Sequence, residues 1–330
     1  MKHARFVATI AGFSALGLTL AACGTSNPES ADAFPSEPIK VIVGFAAGGG
    51  TDLGARQLMP LVEKELGNNA DIQVVNEPGA GGWVGWGNAL SEDPDGYTLT
   101  YLNTPNLQSG YINPELGRDN TPDDFSYIAN QVTDPGVISI RTDEDRFSDL
   151  ESLIEYAKKH EVTTTSTGVG SDDHIAALQL NKELGTKFKV VHTEGASEGM
   201  ASFLGGHIDV LFNNVGESFR PNDQGDIKTV GVLAEDRSDF MPDVTTLEEA
   251  GFGPMYSSSS RGVGAPSGMP EEIQEKLAAA FKTAIESEEH KEQMDEQGLA
   301  INYLGPQDYK QLMMDEDEKI EGLRDLLGWS

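Results

Sequence analysis

Past an apolar N-terminal stretch, the chain alternates short β-branched runs with amphipathic segments, and glycine clusters stand at the joins. Ile39–Val43 predicts a strand. Asp52–Leu66 predicts a helix, because Leu53, Leu58, Leu61, Val62 and Leu66 recur at three- and four-residue spacing and make one apolar face. Gly67 is its expected stop. The theme repeats with Ile72–Val75 as strand, Trp83–Leu90 as helix and Tyr97–Leu102 as a third strand after the turn Asp93-Pro94-Asp95-Gly96. Val137–Ile140 is a strand, and Ser148 with Glu151 predicts a capping box for a helix through Lys159. Val162–Ser166, Phe188–His192, Ile208–Phe212 and Lys228–Leu233 are further strands, with helices ending near Leu184 and over Ala196–Leu204. Pro270 opens a long helix, Glu271–Glu296. This alternation predicts an α/β fold with largely parallel sheets.

The first 22 residues read differently. Lys2 and Arg5 precede the apolar run Phe6–Leu20, which ends in Leu20-Ala21-Ala22-Cys23-Gly24. A basic start, an apolar core and small residues before a cut site are the features of an export signal. Leu-Ala-Ala-Cys-Gly resembles a bacterial lipobox, which implies that Cys23, the only cysteine of the chain, becomes the acylated first residue and anchors the protein in a lipid bilayer. The stretch 23–36 is polar and carries prolines, so a flexible tether is expected there.

Length and charge narrow the function. At 330 residues the chain has room for about two domains. Its 54 acidic and 23 basic side chains give a formal charge of −31. Loss of the signal removes two basic residues and no acidic ones, which leaves 21 against 54, or −33. Nucleic-acid binding is excluded, since phosphate recognition needs clustered Lys and Arg. One cysteine excludes an intramolecular disulfide and a multi-cysteine zinc site, and six scattered histidines show no metal-binding spacing. Neither a metal nor a cofactor is expected.

Three strand-to-helix turns, Ala46–Gly50, Gly79–Gly82 and Gly168–Gly170, are rich in glycine and should present backbone N–H groups to an anion at helix N-termini. Nucleotide motifs fail in them. Gly44–Thr51 nearly spells a P-loop, but Gly50 stands where the phosphate-binding lysine belongs. Gly79–Val84 starts like a dinucleotide fingerprint and has Val84 at its third glycine. Gly195-Ala196-Ser197-Glu198-Gly199 matches the G-x-S-x-G of hydrolases, with His207 and His290 downstream as candidate bases. A membrane-anchored serine hydrolase using Ser197 is therefore the alternative function.

The segments PSEPIKVIVGFAAGGGTDLGARQLMPLVEKELG, VVNEPGAGGWVGWGNAL, PDGYTL, STGVGSDDHIAALQL, LGGHIDVLFNN and MPDVTTLEEAGF occur in this order. They resemble the solute-binding proteins of tripartite tricarboxylate transporters, the Bug-type receptors, from about Phe34 to the C-terminal helix. The resemblance implies a non-enzymatic extracytoplasmic receptor with a two-lobed, periplasmic-binding-protein-like fold that closes around a small carboxylate ligand. It implies one lobe from residues 34–133 and 259–330, a second from 134–258, and crossovers at Thr133–Gly136 and Ser257–Gly262. It also implies a monomer that hands its ligand to transporter membrane subunits. Carried over by motif, Phe45, Ala46, Ala47, Gly48, Gly49, Gly50, Thr51 and Asp52, with Gly79, Ala80, Gly81 and Gly82, hold one carboxylate. Ser166, Thr167, Gly170, Ser171, His174 and Asn213 meet the other end. Side chains added at Gly49 or Gly81 should then obstruct the ligand. The chain departs from the family at Ala46 and Ala47, often prolines, at Thr193 and Glu194, often tyrosine and lysine, and at Asn213, often acidic.

Overall fold

One long strand runs through both halves of the molecule, and a second returns beside it at the crossing. The computed structural model describes residues 30–329, so the expected signal segment and Cys23 lie outside the described residues. The first half opens with β1 (Ile39–Val43), α1 (Gly50–Leu66), β2 (Ile72–Asn76), α2 (Trp83–Leu90), β3 (Thr98–Asn103) and α3 (Asn106–Ile112). β1 lies parallel between β2 and β3, and helices cover both faces. That explains why Ile39, Val41, Ile42 and Val43 are all fully buried, with Lys40 the one polar residue of the strand. α1 stops at Gly67, whose φ of 68° suits glycine.

β4 (Phe125–Arg141) is 17 residues long, well beyond the usual 3–10 residues. The second half follows it: α4 (Leu150–Ala157), β5 (Val162–Ser166), α5 (Asp172–Leu184), β6 (Phe188–His192), α6 (Ala196–Leu204), β7 (Leu211–Asn214), α7 (Val215–Asp223) and β8 (Ile227–Leu233). The chain returns through β9 (Ser258–Pro266) and ends in α8 (Glu271–Ile285), α9 (Glu288–Asp295), β10 (Ile301–Leu304), α10 (Pro306–Gly322) and α11 (Arg324–Leu327). Residues Phe125–Pro135 of β4 pair with β9, and Gly136–Arg141 pair with β7 and β8. One strand thus belongs to two sheets.

Each half has its own apolar core. The first gathers residues such as Val41, Leu58, Trp86, Tyr101 and Phe281, and the second Ile138, Leu153, Leu180 and Phe212. A small third cluster joins the halves at the C-terminus, where Trp329 and Ile320 pack with Ile112 of α3 and Ile175 of α5.

Four expectations change. The sheets are mixed: β9 pairs antiparallel with β3 and β4, and β7, β8 and β10 pair antiparallel with β4, because the long β4 runs through both halves against its neighbours. The long C-terminal helix breaks at Ser287, whose hydroxyl accepts from His290 N–H at 3.2 Å and starts α9. The cap of α4 is Asp149 with Ser152, one position after the expected pair. Finally, the tether is anchored well before Ser36. Phe34 is fully buried, its ring lies 5.0 Å from Tyr97, and Lys276 Nζ donates to the carbonyls of Ala31 and Phe34 at 2.8 and 2.5 Å. An aromatic side chain with room in the first core overrides the polar composition around it.

Where β4 and β9 cross between the cores, Arg261 of β9 meets Asp134 of β4 with Nη1–Oδ2 at 3.2 Å, and both are buried. Gly216 N–H, at the start of α7, donates to both Asp134 carboxylate oxygens at 3.2 Å. Burial pushes the Asp134 pKa up from 3.8 to about 8, against the opposing pull of Arg261. Such a carboxyl keeps its proton in the folded chain where the unfolded chain has lost it. Its stabilising contribution is therefore complete below about pH 4 and is lost as pH rises to about 8. Relative to the wild type, Asp134→Asn should gain melting temperature steadily from about pH 5 to about pH 8. Scanning calorimetry at matched ionic strength checks this, and a wild type that gains on the variant across the window contradicts it.

Candidate ligand-binding site

The glycine loops of the first lobe face the second lobe, and each has a local reason for its shape. After β1, the chain turns through Phe45–Gly49 into α1. Asp52 holds this turn: its Oδ2 accepts from Gly48 N–H at 2.9 Å, and its Oδ1 accepts from Arg56 Nε and Asn76 Nδ2, both at 2.9 Å. The carboxylate serves its own loop, which is where a charge opposing the helix dipole is stabilised. The rim of the loop touches the β6–α6 turn. Ala46 N–H donates to Glu194 O at 3.2 Å, and Ser197 Oγ donates to Ala47 O at 3.1 Å. In the second loop Gly79, Ala80, Gly81 and Gly82 all have positive φ. Gly82 admits no side chain, since a Cβ would lie 2.5 Å from the Trp86 ring.

On the facing side, Ser166, Gly170, Ser171 and His174 are engaged with one another. Ser171 caps α5 by accepting from His174 N–H at 3.3 Å, and Ser166 Oγ lies 2.8 Å from Ser171 Oγ. His174 Nδ1 accepts from Gly170 N–H at 2.9 Å. Burial, with the neighbouring His192, pushes the His174 pKa down to about 4, so the ring is neutral near pH 7 and fixed as an acceptor. Ser109 Oγ of α3 donates to Gly170 O at 2.7 Å and ties this loop to the first lobe.

Between the loops lies a cavity of about 30 Å³, room for a water or two. Its wall combines residues of both lobes: Phe45, Gly49, Gly50, Thr51, Asp52, Asn103 and Asn106 from one side, Thr167, Asp172, Asn213, Asn214 and Glu217 from the other, and Arg261 at the crossing strands. Arg261 Nη2 donates to Glu217 Oε1 at 2.8 Å and to Asn214 Oδ1 at 3.0 Å. Asn214 Nδ2 donates to Asp172 Oδ2 at 2.7 Å. Glu217 Oε1 also accepts from Gly50 N–H at 3.2 Å, so a carboxylate of α7 sits at the N-terminus of α1 across the cleft. Wider openings of about 250 Å³, beside Gly81, Arg118 and His192, and about 390 Å³, beside Leu53, Ser197 and Met200, adjoin it.

The charge balance here is unusual. Asp134, Asp172, Asp173 and Glu217 surround the single guanidinium of Arg261. Two like charges about 5 Å apart repel by about 3 kcal/mol at an effective dielectric of about 20. Burial first, and then neighbouring carboxylates, raise the pKa of Asp172 and push that of Asp173 well above the usual range. Burial works against the charge of Arg261, yet Glu217 and its neighbours hold its pKa above the ordinary value. Removing one partner from such a buried pair costs about 3–5 kcal/mol.

Of the residues marked from sequence, Phe45, Gly49, Gly50, Thr51, Asp52, Thr167 and Asn213 line the cavity. Gly48 lines the wider opening, and Ala80 and Gly81 the other. Ala46 and Ala47 make the rim contact. Gly49 and Gly50 differ in the room the protein itself leaves beside them. A Cβ at Gly49 meets nothing closer than 3.7 Å, whereas one at Gly50 would lie 2.3 Å from Glu217 Oε1. At Gly81 there is space, and the obstacle is its φ of 66°. Sequence reasoning missed Asn103, Asn106, Asp172, Asn214, Glu217 and Arg261. One signal was present: an arginine directly after a run of serines, in a chain with only 23 basic residues. Ser197 is hydrogen-bonded to the Ala47 carbonyl, His207 is exposed on the turn after α6, and buried His290 has its Nε2 3.1 Å from Gln131 Nε2.

Residues 55–328 match the family model described as "Tripartite tricarboxylate transporter family receptor". The chain is 30% identical to a Cupriavidus necator protein named "UPF0065 protein in gbd 5'region", over 99% of this chain and 98% of that one. It is 26% identical to Protein BugT of Bordetella pertussis, over 93% of this chain and 94% of the relative. Among solved structures it is similar to MatC from Rhodopseudomonas palustris with bound malate, at 25% identity and a TM-score of 0.81, covering 89% of this chain and all of that one. A TctC solute-binding protein from Polaromonas without ligand aligns at 30% identity and a TM-score of 0.65, over 88% and 99% of the two chains. With the family model spanning most of its length and a relative matched end to end, the chain belongs to the tripartite tricarboxylate transporter receptor family.

Proposed function

We propose that the chain is a lipid-anchored, extracytoplasmic solute receptor that captures a small carboxylate-bearing ligand by lobe closure and delivers it to transporter membrane subunits. The observation that carries this reading is the central cavity, walled by both lobes at the strands that cross between them. A ligand there touches Asn103 and Gly50 on one side and Asn213 and Thr167 on the other, so binding and closure are coupled. The lobes divide as 34–133 with 259–330, and 134–258. The hinge is the short stretch where Gly136 N–H donates to Ser257 O at 2.8 Å. The malate bound to MatC is a small carboxylate, the broad ligand class proposed. Acylation of Cys23, with two fatty chains on its glyceryl group and a third on its amine, gives stable membrane attachment.

A thermal-shift screen of small carboxylates, malate included, should raise the melting temperature for at least one compound. Gly49→Val, at a cavity-lining position where a Cβ meets no protein atom closer than 3.7 Å, should weaken that compound by at least tenfold, about 1.4 kcal/mol, with a circular-dichroism spectrum like the wild type. A variant that folds normally and binds unchanged removes the loop from the site.

Anchoring has its own test. Cys23→Ala should move the protein from the membrane fraction to the soluble one. A variant that stays as tightly membrane-bound as the wild type excludes acylation as the anchor.

A further inference from the structure

The cavity wall carries polar atoms that the protein leaves without partners, and their kinds describe the ligand. Asn103 is 4% exposed. Its Nδ2 is spent on Thr51 Oγ1 at 2.7 Å, while its Oδ1 has no donor. Glu217 Oε1 takes both Gly50 N–H and Arg261 Nη2, and its Oε2 has none. These are two acceptors in search of a donor. Donors on the same wall also lack acceptors, Asn213 Nδ2 and Arg261 Nε, while Arg261 Nη1 has only its ion pair with Asp134. Buried groups of this kind are normally satisfied, so a ligand that fits supplies both.

We infer that the ligand carries a protonated amine beside its carboxylate, the ammonium donating to Glu217 Oε2 and Asn103 Oδ1 and the carboxylate accepting from Asn213 Nδ2 and Arg261 Nε. This deepens the proposed function and rests on it. The charge balance agrees. Among the described residues Arg261 is the one cationic residue lining the cavity, so a dianion would bring two negative charges to it, whereas an ammonium cancels one of them within the ligand itself. The guanidinium that might have neutralised a second carboxylate is already committed to Asp134 and Glu217. The four acids are not arranged as a chelate: among the described residues no three His, Cys, Asp or Glu side chains are grouped to hold a metal ion. The roughly 30 Å³ between the loops takes no more than the ammonium group itself. The rest of the ligand has its exit through the opening beside Leu53 and Met200, which shares Asn213 and Glu217 with the cavity.

The test is calorimetric titration with matched pairs, each L-amino acid against the same acid lacking its amine, aspartate against succinate and glutamate against glutarate among them, with malate alongside. At least one amino acid should bind at least thirtyfold tighter than its amine-free counterpart. Glu217→Gln and Asn103→Ala should each weaken that amino acid at least tenfold and narrow the gap within the pair, with ligand-free melting curves showing that both variants fold. If amine-free acids bind as well as or better than their partners, the inference fails while the receptor reading stands. Tighter binding of amine-free acids by Glu217→Gln would likewise overturn it, identifying Glu217 as a stand-in carboxylate that the ligand displaces. No binding by any member overturns both.

Discussion

The guanidinium of Arg261, buried between Asp134 and Glu217, is the interaction on which the rest of this structure depends. It sits near the start of β9, just after the chain returns from the second half, and its partners come from β4 at the crossing and from helix α7. An arginine is suited to this place because its planar fork serves several acceptors at once and keeps its charge when buried. The cost of desolvating it is met by an excess of acids, and that excess forces some of them to hold protons. Hinge and ligand cavity are thus built from the same charges.

That arrangement changes how glycine loops work here. Helix N-termini attract anions, and the α1 terminus already has two: Asp52 accepts from Gly48, and Glu217 accepts from Gly50. Both are the chain's own carboxylates, one from the same helix and one from the facing lobe. In the proposed function, selectivity then rests on side chains around the loop, Asn103, Asn213 and Glu217, more than on backbone amides alone.

The elements most legible in the sequence are those with a single apolar face and a clear stop. β5, α2, β6 and α6 fall where periodicity places them, because local pattern and tertiary burial agree. β4 was not legible. Asp134-Pro135-Gly136 spells a turn, yet it is the middle of a strand, held there by pairing with Ser257–Ser260 more than a hundred residues away. The site divides the same way. Its loops were visible as glycine clusters, since a tight strand-to-helix turn has a local signature. Its charged members were not. Asp172 and Glu217 read as ordinary acids in the first turn of a helix, and only the crossing of β4 and β9 brings them to Arg261.

A crystal structure of the protein with a ligand that raises its melting temperature tests the central claim most directly. The account predicts the ligand's polar head between Asn103 and Asn213, with Glu217 in contact and both lobes touching it. Ligand density elsewhere, for example in the roughly 580 Å³ groove between α8 and the start of α10 beside Gln274 and Pro306, with the central cavity unchanged, would contradict it.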